Sequence, residues 1–385
     1  MGIVISFFLT LPWIFIKFSD IHLPSYFIAI ISGLCISGGA YLLTVSTEGA
    51  QIDFAKSLSF AFLALFAVLP EYIVDFYFAW VAPHKKGYSS YALANMTGAN
   101  RLLIGIGWSL VIFLFAIKSR RKKLNLEKTL NLELRAILIA TLYAFILSFK
   151  NSLTLLDSLI FLSIFFVYIY SASKSHKEEI EETQFLKKLI LMGKTKRLIV
   201  IALLFLYAGF CILISGHEFA EALVKTGKIL KVEEFLLVQW VAPLASEAPE
   251  IIAMSIFVVK GKPSAGFNAL VSSKVNQWTL LVGTLPIVYA ISAFSILDGL
   301  HIDLRQKEEI FLTAAQSLFA IVLLADFDFN IFEGFLLLFL FLLQFLFPHP
   351  KIRIIIAFIY IILSILTLFI KEKREGLKEN FLKFK

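Results

Sequence analysis

The stretch "LFAVLPEYIVDFYFAW", Leu65 to Trp80, is apolar enough for hydrocarbon and yet holds Pro70, Glu71 and Asp75. A carboxylate at mid-depth in a bilayer costs about 2.5 kcal/mol or more unless it meets a cation, a proton or a water-filled cavity. A proline inside such a helix removes one donor and frees the carbonyl four residues back. The pairing of the two is therefore a functional signal, and the chain repeats it. Pro249-Glu250 lies 179 positions after Pro70 (249 minus 70), inside "VQWVAPLASEAPEIIAMSIFVV", Val238 to Val259. The carbonyls expected to be freed as oxygen ligands are those of Phe66 and Ala245.

The flanks match as well. "YALANMTGANRLLIGIGW" (91–108) follows the first pair and "GFNALVSSKVNQWTLLVG" (266–283) the second; each opens a long span with small and polar residues. More loosely, "YLLTVSTEGA" (41–50) and "LISGHEFAEAL" (213–223) precede them. Blocks of roughly 20 apolar residues, the length that spans hydrocarbon, recur near 25–47, 53–81, 90–117, 133–149, 152–170, 197–216, 232–259, 265–297, 308–325, 329–347 and 351–370. Segments such as "IFEGFLLLFLFLLQFLF" are apolar all round, which excludes an amphipathic helix of a soluble protein. Of 385 residues 59% are hydrophobic and 17% charged, so the expectation is an all-α polytopic membrane protein.

Its organisation is read as a short N-terminal membrane segment (1–24), a first five-helix repeat (25–170), a charged cytoplasmic linker (171–197), a second five-helix repeat (198–347) and an extra C-terminal helix with a basic tail (348–385). The first segment has no basic n-region and no cleavage site, so it is expected to remain in the membrane. An odd number of spans per repeat inverts the halves, which places substrate near the midplane where both halves carry helix breaks. Those breaks are expected at Pro70 and Pro249. The basic runs "KSRRKKLNLEK" (118–128), "KSHKEEIEETQFLKKLILMGKTKR" (174–197) and "KEKREGLKENFLKFK" (371–385) fall on one side, assigned to the cytoplasm of a plasma membrane. They account for most of the net charge of +8 (36 minus 28), without a nucleic-acid partner. Cys35 and Cys211 lie in apolar segments and are read as packing residues.

The paired Pro-Glu spans, each followed by a small-residue-rich span, resemble the alpha-repeats of the cation/calcium exchanger superfamily. The resemblance implies that Glu71 and Glu250 bind Na+ and Ca2+ in exchange, with Ser273 and Gln277 as further ligands. Asn95 and Asn100 fall in its later motif, though they also read as ordinary interhelical hydrogen-bonding groups. The family's hydroxyls before the first Pro-Glu are replaced by Ala67 and Val68; the second repeat has Ser246 and Glu247 there. Leu103 stands where the family has an Asn or Asp. Asp75, one turn after Glu71, either extends the ion path or sits at the membrane boundary.

Arg101 and Lys274 enter these helices as unexpected cations. If they face the centre, Glu71, Asp75, Glu247 and Glu250 against these two leave minus two, the charge of one Ca2+, two Na+ or two protons. The alternative is that they pair with Glu71 and Glu250 to hold the bundle. Glu48, His217, Glu218 and Glu221 read as interfacial, and the acidic "ADFDFN" as a solvated connection.

The function expected is secondary antiport of small inorganic cations across a lipid bilayer, Ca2+ against Na+ or H+, by alternating access around a midplane carboxylate site. No cofactor is expected besides the transported cations. The alternatives are Na+/H+ exchange on the same fold and a non-transporting membrane enzyme or receptor. Against an enzyme, the His-Glu-x-x-His pattern of a zinc protease is absent; the absence of a glycine-rich phosphate loop disfavours primary pumping.

Overall fold

The computed structural model describes residues 2–19, 21–50, 52, 69–175 and 184–379. Phe66, Ala67 and Val68, and the side chain of Glu48, lie outside the described residues. The helices are α1 Gly2–Phe18, α2 Ser25–Ala50, α3 Leu69–Val81, α4 Tyr88–Leu102, α5 Ser109–Ser119, α6 Asn131–Leu147, α7 Leu155–Ser175, α8 Gln184–Ile190, α9 Lys194–Leu230, α10 Glu234–Val259, α11 Pro263–Asn276, α12 Val282–Ala293, α13 Leu304–Leu323, α14 Ile331–Leu346, α15 Pro350–Thr367 and α16 Lys371–Leu377. Seven helical stretches among the described residues are long and apolar enough to cross a membrane, and α1 and α14 are shorter apolar helices. The expected all-α membrane architecture is observed.

Two differences from the sequence reading have physical causes. The span expected over 197–216 continues to Leu230 because its far end is amphipathic: Phe219, Ala220, Leu223 and Val224 are buried while Lys225 and Lys228 are exposed. The break expected at Pro249 does not occur, since α10 runs on through both Pro243 and Pro249. The carbonyl that Pro249 frees, that of Ala245, accepts a hydrogen bond from the Ser37 hydroxyl at 2.7 Å. A neighbouring side chain thus restores what the proline removed.

The chain forms two compact units, and each takes one piece from either half of the sequence. The first comprises Met1–Phe78 and Ile169–Glu250. Within it α2 and α9 pack closely, because Gly39 admits Ile212 and the backbone of Ala208, and Gly33 admits Phe219. Small residues let helix backbones approach where lipid gives no hydrophobic drive. Gly38 does the same for the Ser6 carbonyl of α1. Trp13 packs with the buried Cys35 and Cys211 and donates to the Ile214 carbonyl at 3.2 Å. Both thiols are free, as the packing reading expects.

The second unit comprises Ala79–Tyr168 and Ile251–Lys385. Its two motif-bearing spans each widen into a π-helical turn, Leu103–Trp108 between α4 and α5 and Gln277–Leu281 between α11 and α12. Such turns leave backbone groups without their usual partner and mark functional positions. Here the Gln316 carboxamide donates to the Arg101 carbonyl at 3.3 Å, just before the first turn. Two antiparallel strand pairs clasp the loops of this unit. Lys123–Asn125 (β1) pairs with Asp328–Asn330 (β4), and Ser152–Leu153 (β2) with Leu300–His301 (β3). Lys123 also meets Asp328 at 2.6 Å, and that carboxylate holds its ammonium above the ordinary lysine range.

Candidate cation site

Glu71 stands in the first turn of α3, directly after Pro70. Glu247 and Glu250 are three residues apart on α10 and so share a face across Pro249. The fold of the first unit brings one carboxylate oxygen of each within 4.8 Å of the others. Glu71 and Glu247 are buried and Glu250 half-buried. Two oxygens on opposite sides of a Ca2+ at about 2.4 Å are about 4.8 Å apart, so the spacing fits ligands of a single ion. Three carboxylates this close, facing little water, are mutually repulsive unless a cation or protons join them.

Asp75, one turn beyond Glu71, is fully buried. Between them the Tyr72 hydroxyl, also buried, has no hydrogen-bond partner among the described residues. Ser246 donates to the Pro243 carbonyl of its own helix at 3.2 Å. Its proton is committed to backbone, and its oxygen keeps acceptor capacity.

The remaining expected residues lie in the second unit. Ser273 and Gln277 are buried on α11 and at the start of the second π turn. Asn95 is buried on α4, and neither its Oδ1 nor that of the buried Asn276 finds a hydrogen-bond partner among the described residues. A buried amide oxygen without a donor is poised for a ligand. Asn100 is already engaged: its Nδ2 donates to the Met96 carbonyl at 2.8 Å, and its Oδ1 accepts from Lys274 Nζ at 2.6 Å. Lys274 is itself fully buried, with Nζ 4.5 Å from the centre of the Trp278 ring. Where the sequence suggested a ligand for a mobile ion, Asn100 holds a tethered ammonium.

Arg101 corrects the charge tally drawn from the sequence. Its guanidinium forms an ion pair with Glu309 of α13 at 2.6 Å, both side chains almost wholly buried, and donates to Gln344 of α14 at 3.0 Å. Glu309 also faces Arg353 of α15 at 3.5 Å, and Arg353 pairs with Glu308 at 2.7 Å. The charge counted against the acids of the site is thus matched inside the second unit. The rule that singled out Glu71, an acid inside an apolar span, does not single out Glu309, which closes the charged run "DLRQKEE" (303–309), and nothing in the sequence ties it to Arg101. Ser37 carried no signal at all.

The chain matches the family described as sodium/calcium exchanger protein over residues 24–174 and 200–348. Its structure superposes on the crystal structure of the H+/Ca2+ exchanger CAX with a TM-score of 0.93 and 46% sequence identity, covering 98% of this chain and 95% of that one. Native YfkE shares the fold at a TM-score of 0.66 and 18% identity, covering 93% of this chain and 99% of the other. The sodium-calcium exchanger NCX_Mj does so at 0.53 and 16%, covering 83% and 96%. Among curated proteins no match is found. With the family's profile covering most of both halves, and the acids of both Pro-Glu pairs gathered at one point, the chain belongs to the sodium/calcium exchanger protein family.

Proposed function

We propose that this protein exchanges Ca2+ for H+ across a membrane by alternating access. It is a cation antiporter rather than an enzyme, as its family and its likeness to an H+/Ca2+ exchanger indicate. The observation that carries the proton reading is the cluster of Glu71, Glu247 and Glu250 with oxygens within 4.8 Å. One Ca2+ satisfies such a cluster, and so do protons shared among the carboxylates. Loading one then releases the other, which is the chemical requirement of an antiport site. The second Pro-Glu repeat supports this with an added acid, Glu247, where the resembling family has a hydroxyl. Exchange against Na+ has weaker support: the family model bears the sodium/calcium exchanger description, but the solved sodium-calcium exchanger is alike in fold at 16% identity, against 46% for the H+/Ca2+ exchanger.

Purified protein in liposomes tests the proposal directly. Radioactive Ca2+ should accumulate when an outward proton gradient is imposed, and Ca2+ entry should alkalinise the lumen in proportion, since each ion that enters releases protons outward. Accumulation driven by a Na+ gradient at uniform pH, with no response to the proton gradient, would overturn the proton reading and leave Ca2+ antiport standing.

A further inference from the structure

The two halves solve one local problem differently. In the first half Asp157 anchors the first turn of α7. It accepts from the Thr154 amide at 2.7 Å and takes Lys150 Nζ at 2.6 Å. Adding 176 to each number gives the equivalent trio of the second half: Asn330 for Thr154, Glu333 for Asp157, and Asp326 for Lys150. The offset is structural, because the Asn330 amide makes the equivalent bond at the start of α14, donating to Glu333 Oε2 at 2.8 Å. The strands agree too, since β2 and β4 precede these two helices. The lysine, however, has become an aspartate. Two acids stand where the first half has an ion pair.

Lys373, from the C-terminal helix α16, fills that position. Its side chain is 6% exposed, and its Nζ lies 2.7 Å from Asp326 Oδ1 and 2.8 Å from Glu333 Oε1. It also donates to the backbone carbonyls of Leu323 and, at 3.3 Å, Asp328. A second feature fixes the same docking. Gly376 rests directly on the backbone of Ala325 and Asp326, where any side chain would collide with the Ala325 carbonyl. Surface lysines of a solvated tail bury neither their ammonium nor their backbone.

What this lysine holds in place is adjacent to a motif span. Glu333 is followed by Gly334, whose carbonyl accepts from Ser109 Oγ at 2.8 Å, and Ser109 is the residue that ends the first π turn. Further along α14, Phe341 lies against Gly105 inside that turn. The geometry points to Lys373 as a positioning residue for transport: it supplies from the tail the counter-ion that the second repeat lacks, and through α14 it sets the π turn of the first motif span. The transport part of this rests on the exchange function proposed above; the docking part does not.

The first-half arrangement supplies the test. Lys373→Gln should raise the Ca2+ concentration for half-maximal exchange about tenfold, one decade of affinity, and speed amide hydrogen exchange in Ile331–Leu346. Adding Asp326→Lys rebuilds the Lys150–Asp157 pairing in the second half, at the same spacing of seven residues, and should return both readouts toward the parent. Parental values in Lys373→Gln, or no recovery in the double variant, would overturn the inference. If Lys373→Gln alone does not fold, the double variant decides: parental half-saturation supports the role and failure to transport refutes it. A parent protein that moves no Ca2+ would instead sink the exchange function, with the hydrogen-exchange comparison still deciding whether Lys373 fixes α14.

Discussion

Single carboxylates carry the heaviest consequences. Glu71→Gln, Glu247→Gln and Glu250→Gln each keep the shape of the site and remove one charge from the cluster. Each should lower Ca2+ exchange at least tenfold, roughly one decade per 1.4 kcal/mol, while the protein remains folded; flux assays on purified, monodisperse variants check this. Arg101 belongs to a different class. Breaking a buried ion pair by removing one partner costs about 3–5 kcal/mol, whereas replacing both by apolar residues is often neutral. Arg101→Met should therefore lower the melting temperature well below that of the Arg101→Met, Glu309→Met double variant. Equal losses in the two would show that the pair contributes little beyond its volume.

At the scale of elements, Pro249 of α10 is accommodated by a hydroxyl on another helix. Ser37→Ala should leave the Ala245 carbonyl without its 2.7 Å donor, at a penalty of about 1 kcal/mol, the low end for an unsatisfied acceptor because this one is only partly buried. Restoring the backbone donor with Pro249→Ala in that background should recover part of the loss, measured as melting temperature in detergent. These elements also show how far a sequence can be read. Apolar length fixed the spans to within a few residues at α2, α10 and α14, because hydrocarbon thickness sets one scale for all of them. The end of α9 escaped because its last turns obey amphipathic rather than all-apolar spacing. Of the site, the acids stood out because charge in an apolar span is conspicuous. Ser37, Gln316 and Lys373 did not, because their roles come from long-range contacts and their residue types are ordinary where they occur. The two π turns carry no local signature either; a widened helix is a packing outcome.

For the whole molecule, the basic runs that ordered the spans lead to a sidedness experiment. Residues 118–123 are expected on the cytoplasmic face and the turn around Lys86 on the opposite one. With the native Cys35 and Cys211 buried, single cysteines at Lys122 and Lys86 can be labelled with an impermeant thiol reagent from outside intact cells. Lys86→Cys should react and Lys122→Cys should not. Equal labelling of both would refute the inverted layout, and reversed labelling would turn the molecule over.

The interleaving of the two units constrains how the protein comes into being. The first unit needs residues up to Glu250, and the second needs both Ala79–Tyr168 and the chain from Ile251 onward. Helices α4 to α6 are therefore made and inserted long before their partners exist, with Arg101 in place and Glu309 still to be translated. During that interval a guanidinium destined for burial lacks the acid that it meets in the folded protein, Glu309. Ribosome stalling between the halves should leave an intermediate that proteases recognise. Co-expression of two fragments cut in the linker should rescue each other, since neither half contains a complete unit on its own.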